Sequence, residues 1–270
     1  IGTAYGSVTC QNVTVKDSYI SGNNKVGAII AHDGRTSNVK IDNCHVLNST
    51  IESLDSADGG CVGGLIGYFA GIGGGEFKIS NSTVKQSTIN GINSTNSGKR
   101  ANSQFIGCIN SDANQQLYIN NCSVEDNIFT DVDNNGNAVT YKSIYGKFIG
   151  GERYDAPKGK VYIDNVEVIA NGIAIDNEGN YCITAVEGFA WIEAQTDNFF
   201  SGKTIKLVAN MNLEGIDYKP IRFWDPENPI TFDGQNYTIS NLTINNGSSD
   251  NQALFNGTLS VKNLKVDNAT

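Results

Sequence analysis

Apolar and polar positions alternate along this chain in one frame that returns eight times: apolar–x–apolar–x–Asn–x–x–apolar. It reads V-T-C-Q-N-V-T-V over Val8–Val15, V-K-I-D-N-C-H-V over Val39–Val46, F-K-I-S-N-S-T-V over Phe77–Val84, L-Y-I-N-N-C-S-V over Leu117–Val124 and V-Y-I-D-N-V-E-V over Val161–Val168. Lys206–Leu213, with Lys206 in the first apolar slot, Tyr237–Ile244 and Leu259–Val266 complete the set. A period of two marks a half-buried strand. At the Asn the inward phase slips by one residue, from Val39 and Ile41 to Cys44 and Val46, so the strand must bend there. Asn tolerates the left-handed backbone of such a bend better than any residue but Gly. Strand, Asn bend, strand is one coil of a stack. The pattern therefore predicts an all-β chain, a right-handed parallel β-helix (solenoid) with one short capping helix. Asn12, Asn43, Asn81, Asn121, Asn165, Asn210, Asn241 and Asn263 would lie above one another, their amides hydrogen-bonding from coil to coil.

Successive frame asparagines lie 31, 38, 40, 44, 45, 31 and 22 residues apart. A minimal coil needs only a little over about 20 residues, so most repeats carry extra loop, as at Asn90–Ser103 and Thr130–Tyr145. Insertions in solenoids gather on one face, often the binding face. A second element precedes five of the frames: Ile29–Ala31, Leu65–Gly67, Phe105–Gly107, Phe148–Gly150 and Leu254–Asn256. Two apolar residues and a small one suggest a short strand with a tight corner. Residues 171–183 read as a hairpin turning at Asn177–Gly179. Thr184–Asp197 reads as the single helix, with Thr184 and Glu187 as a capping box and Val186, Phe189 and Ile192 as its apolar stripe. This divides the chain into repeats over 1–175 and, over 176–270, a cap helix that opens a further array. Gly6–Val15 aligns with Gly257–Val266, which fits either ordinary copies of the short repeat (the favoured reading) or one period of a longer tandem array. With no polar capping repeat at either end, a fragment or a processed product is expected.

Composition narrows the function. Nineteen Lys and Arg against 28 Asp and Glu leave a net charge of −9, which argues against nucleic acid. Lys99-Arg100, the one adjacent basic pair, reads as a solvated loop tip. No apolar run approaches the ~18 residues of a membrane span. The six cysteines show neither C-x-x-C nor zinc spacing. Cys44 and Cys122 would stand two coils apart, about 10 Å, too far for a disulfide, so buried free thiols are expected. His32 and His45 have no nearby Ser, Cys or Asp that makes a nucleophile–base pair. Carboxylates such as Asp33, Glu52, Asp55, Asp58, Glu76, Glu125 and Asp126 are scattered. The outward slot shared by Asp42, Ser80, Asn120 and Asp164 builds no row of acids of the kind glycoside chemistry needs. Asp131–Asn137 offers oxygens at the first, third and fifth positions of a calcium loop (Asp131, Asp133, Asn135) with Gly136 sixth. Lys142 stands where a bidentate Glu belongs, so an ordinary Asn/Gly turn is the stronger reading. Trp224, in the Pro-bounded loop Arg222–Pro229, is placed either to stack on a sugar or partner or to fold down over an edge. Trp191 is expected in the core of the cap helix.

The run from Cys61 to Val84 resembles the GLUG motif of large bacterial surface proteins, with Gly64-Leu65-Ile66-Gly67 matching its G-L-x-G signature. Other copies depart from it: Gly27 precedes Ala28-Ile29-Ile30-Ala31, and Gln104 stands where the first Gly belongs. Thr204–Leu213, Lys219-Pro220-Ile221 and Phe232–Ile244 are similar to the opening of such arrays in gut Bacteroidetes. The resemblance implies an exported, extracellular β-solenoid of an adhesin or surface-anchored protein, and it carries no catalytic residues over. The expected function is non-catalytic: an adhesin or stalk module that presents loops to a host or bacterial surface glycan or protein, with end-to-end contact to further repeats. No cofactor is expected beyond calcium. The alternatives are a polysaccharide-binding or polysaccharide-cleaving parallel β-helix, and a plain spacer.

Overall fold

The computed structural model describes residues 1–54, 60–73, 75–93, 102–110, 112–133, 135–138, 143–151, 159–195, 198–244 and 253–270. Asp55, Asp58, Lys99, Arg100 and Lys142, and most of the loop Asn90–Ser103, lie outside the described residues. The chain is all-β, with one helix among the described residues. Among the described residues no helix is long and apolar enough to cross a membrane. Two compact units divide at Asn165/Val166, ten residues before the boundary expected from sequence.

In the first unit, the frame becomes rows of parallel strands. Thr3–Gln11, Ile30–Asp42, Glu76–Ser80, Gln116–Asn120 and Val161–Ile163 pair in succession. A second row holds Thr14–Lys16, His45–Leu47, Thr83–Lys85 and Ser123–Glu125. The third holds Tyr19–Gly22, Thr50–Ser53, Thr88–Asn93 and Ile128–Asp133. Equivalent frame residues stand level, so Val39, Phe77, Leu117 and Val161 form one buried column and Ile41, Ile79 and Ile119 another. Val46, Val84 and Val124 form a third, and Ile51 and Ile89 a fourth. Each such side chain contributes about 1.5–3 kcal/mol by leaving water. A one-residue slip of register would turn every column outward.

The rows join at two left-handed corners. Asn12, Asn43, Asn81 and Asn121 make the first, at φ of 50–56°. Asp17, Asn48, Gln86 and Asp126 make the second, at φ of 43–52°. The parallel ladder runs on through both: Asn12, Asn43 and Asn81 donate backbone N–H to Asp42, Ser80 and Asn120, and Asp17, Asn48 and Gln86 to Leu47, Lys85 and Glu125. The bend therefore leaves these six N–H groups paired.

The second element is a close crossing of two backbones. Lys25–Gly27 pairs with Cys61–Gly63, beside Ile66–Phe69 and Ile106–Ile109. A Cβ on Gly67 would lie 2.5 Å from the Ala31 carbonyl oxygen, and one on Gly107 2.3 Å from that of Gly67. Glycine is required here for space.

In the second unit the expected hairpin forms: Ile173–Ile175 pairs antiparallel with Tyr181–Ile183, and Gly179 sits at φ 81°. The helix is shorter than expected, Glu187–Glu193, and the capping box is absent: Val186 is the N-cap, with no side-chain cap bond. Thr184 ends the strand instead, donating its N–H to Gly172, and Gly188 packs directly on Gly172. Phe189 and Ile192 anchor the helix in a core with Phe200, Phe223 and Phe232, and Trp191 and Val186 lean on it from the margin.

Thr204–Leu207, Ile230–Asp233 and Leu259–Lys262 pair parallel, as do Met211–Asn212, Thr238–Ser240 and Lys265–Asp267. The frame is mis-phased at Lys206–Leu213. Ile205 and Leu207 are the buried pair, while Val208 is 39% exposed. Lys206 points outward to Asp176 at 2.9 Å, which is why a cation stands there.

Candidate ligand-binding surface

The corner asparagines face outward. Asn43 Nδ2 donates to Asn12 Oδ1 at 2.8 Å, and Asn121 Nδ2 to Asn81 Oδ1 at 2.7 Å. Between them Asn81 Nδ2 turns to Asp42 Oδ1 at 2.9 Å. The neighbouring Asn43 oxygen already accepts from His45 Nε2 at 2.8 Å, and an ionised carboxylate is the stronger acceptor. Asn165 keeps the left-handed corner, at φ 67°, and its N–H donates to Asn120 Oδ1.

The second unit departs from the expected stack. Asn210 is not left-handed; its Oδ1 accepts from the Thr238 N–H. Asn241 bonds to Asn212 below and accepts from Asn268 above. Asn263 belongs to a different corner, donating to Asp233 Oδ1 at 3.0 Å. One column expected from the frame is thus two.

A second ladder has no counterpart in the frame. Inside the later corner of the first unit, Ser49 Oγ accepts from Ser18 N–H, Ser87 Oγ from Ser49 N–H, and Asn127 Oδ1 from Ser87 N–H. Each serine returns its proton to a carbonyl two residues back, Ser49 to Leu47 and Ser87 to Lys85. The signal was present just past the frame, as Asp17-Ser18, Asn48-Ser49, Gln86-Ser87 and Asp126-Asn127.

Outside, the same register builds a flat grid. Thr9, Lys40, Lys78, Tyr118 and Tyr162 form one outward column. Tyr118 and Tyr162 stack at 4.9 Å and 8°, and Lys78 Nζ stands 5.6 Å from the Tyr118 ring. Lys78 is held by Glu76 at 2.6 Å, and Tyr118 Oη donates to Gln116 Oε1. A shallow depression of about 480 Å³ runs across Thr9, Lys40, Lys78, Ser80 and Asn120. The face offers cations, hydroxyls, amides and aromatic edges in fixed positions on neighbouring parallel strands.

Trp224, in the second unit, is 61% exposed. Its loop is ordered by Asp225, whose carboxylate accepts from Ser201 Oγ and from the Glu227 and Asn228 N–H groups. Those bonds, the Ser201 one foremost, hold the Asp225 carboxyl below its usual range.

Asp131, Asp133 and Asn135 do not converge. The Asp131 carboxylate is occupied by the Asn102 backbone and amide N–H groups, both at 2.8 Å. Burial raises its pKa against those bonds. Asp133 closes a turn, accepting from the Asn135 and Asn137 N–H groups, and chiefly Asn137 lowers its pKa. Among the described residues no group of three or more His, Cys, Asp or Glu could hold a metal ion. His32 meets Tyr68 at 5.4 Å with the rings tilted by 51°, and burial, with Lys25 nearby, lowers its pKa.

No protein-family profile, curated protein or solved structure matches the chain.

Proposed function

We propose that the chain is a non-catalytic module of an exported bacterial surface protein: a right-handed parallel β-helix of the GLUG-repeat type that offers a rigid outward face to a glycan or protein ligand outside the cell. The observation that carries this reading is the register. Like residues stand level on successive parallel strands, and the ladder continues through both corners, so outward side chains repeat at the strand spacing of about 4.7–4.9 Å. An extended polymer laid along the column would meet a hydroxyl, then two cations, then two aromatic rings at that regular spacing. Sugars are the best-matched class, because a pyranose presents both an apolar face and hydroxyls to aromatic and amide partners.

The non-catalytic part rests on what the carboxylates do. Asp42, Asp133 and Asp225 serve as acceptors for corners and turns, which lowers their pKa. A general acid needs the opposite shift, and Asp131, which burial does raise, has both carboxylate oxygens taken by Asn102.

A glycan array with the intact chain tests the reading. We expect saturable binding to one class of polysaccharide, lost about tenfold or more in a Lys78→Ala/Tyr118→Ala variant or in Trp224→Ala. The two variants separate the outward column from the Trp224 loop. Unchanged binding in both would refute the assignment of the surface, and release of reducing ends from the bound glycan would refute the non-catalytic claim.

A further inference from the structure

The second unit holds a cleft of about 360 Å³ between the helix Glu187–Glu193 and residues 216–219. That volume lies within the ~300–1,000 Å³ of small-molecule sites. Its floor is aromatic: Phe189 and Tyr218, both buried, meet edge to face at 5.9 Å. Tyr218 turns its hydroxyl away, donating to the Leu254 carbonyl at 2.6 Å, so the ring lines the cleft while its polar end is satisfied elsewhere. Val186 and Ile216 form apolar walls, and Ile216 remains 40% exposed over the opening.

The rim carries the opposite chemistry. Glu187 and Glu193 from the helix and Asp217 from the facing segment border the cleft, against the single cation Lys219. Among the described residues none of these three carboxylates is ion-paired. The capping role foreseen for Glu187 is unused as well.

We propose that this cleft binds a small organic cation, an amine carried on an aromatic or cyclic apolar body. The apolar body would cover Phe189, Tyr218 and Ile216. The ammonium would remain at the rim, where attraction to two or three carboxylates outweighs Lys219 without full desolvation. A neutral ligand of the same shape would forgo that attraction, and an anion would meet net repulsion.

The test uses the intact, isotope-labelled chain with three indole probes: tryptamine, N-acetyltryptamine and indole-3-propionate. Amide shifts at Ala190, Ile216 and Lys219 should titrate saturably with tryptamine. N-acetyltryptamine should bind about tenfold more weakly, and indole-3-propionate more weakly still. Glu193→Gln/Asp217→Asn, both at exposed positions, should bring tryptamine down to the level of the acetylated probe. Ala190→Trp should fill the cleft and abolish the shifts with the far-UV spectrum unchanged. Equal binding of all three probes, no saturable shift with tryptamine, or undiminished binding in either variant would overturn the proposal. None of these outcomes bears on the outward column of the first unit.

Discussion

At the residue scale, a corner asparagine does two separable things. It occupies the left-handed backbone, which costs an ordinary L-residue about 1–2 kcal/mol, and its amide bonds both to the preceding corner and to a neighbour in its own segment. Asn43 does both, with φ 52° and bonds to Asn12 and His45. Asn43→Ala should destabilise the chain by about 2 kcal/mol, and Asn43→Gly by about half that, since glycine removes only the amide bonds. Urea midpoints at constant slope check this, and equal losses would mean that backbone strain is not what the residue relieves. At three successive corners the slot just after the asparagine holds a small group that reaches a carbonyl: buried Cys44 and Ser82 and half-buried Cys122, with Ser82 Oγ donating to Ser80 and Cys122 Sγ pointing to Asn120. Cys122→Ser should therefore leave stability within about 1 kcal/mol. Burial raises the Cys122 thiol to about 11, so at pH 8 only about one part in a thousand is thiolate. A thiol-reactive dye should label the folded chain at this site far more slowly than the urea-unfolded chain.

At the element scale, the period-two frame made the strands of the first unit legible, because one face of each is buried and one is not. It failed to give register in the second unit, and the reason is physical. Both corners of a coil read strand–Asn–strand, so Asn263 mimics the corner of Asn241 although it pairs with Asp233, 30 residues earlier. The true partners of Asn241 lie 29 and 27 residues away, whereas Asn263 is only 22 away, short of both spacings. The helix was legible from Phe189 and Ile192, but its cap was not, since Thr184 is claimed by Gly172 through a contact distant in sequence. The outward column of Lys78, Tyr118 and Tyr162 is the second slot of the frame, but the ring stacking and the cation beside it depend on side-chain geometry that the pattern does not carry. The glycines of the second element carried a signal whose cause is steric. Gly67→Ala would force its Cβ against the Ala31 oxygen and the Val26 backbone, where no side chain can swing aside. We expect a loss of about 3 kcal/mol, read as a lowered urea midpoint. Gly136→Ala meets no atom within 4 Å but has φ 79°, so it should lose only about 1–2 kcal/mol of backbone strain.

Across the whole chain, the net charge of −9 means that excess carboxylates must be accommodated, and the fold uses several of them as acceptors. Burial alone would raise the Asp233 pKa, but the Gln235 N–H, the Asn263 amide and Lys262 outweigh it and bring it to about 2. At Asp176, burial is likewise outweighed, by Asn180, Lys206 and the Glu178 N–H, again giving about 2. Asp42, Asp133, Asp225 and Glu125 are shifted down as well, with Asn81, Asn137, Ser201 and Lys85 the respective leading causes. A carboxyl with a depressed folded-state pKa contributes stability that is fully present above its unfolded value, about 3.9 for Asp. That contribution is lost as pH falls through the folded value. Asp131, raised by burial, works the other way and gains as pH falls, but it is one group against six. Stability should therefore dip slightly between pH 7 and about 5, because His32 in the folded chain resists the proton that the unfolded chain takes up, and drop further between about pH 4 and 2. An Asp176→Asn/Asp233→Asn variant should lose stability at pH 7, where both carboxylates act, and show a shallower drop, converging on the parent chain near pH 2. Urea midpoints at pH 7, 5, 3.5 and 2.5 for the two proteins measure this directly. Parallel curves would mean that these two carboxylates do not supply the acid sensitivity.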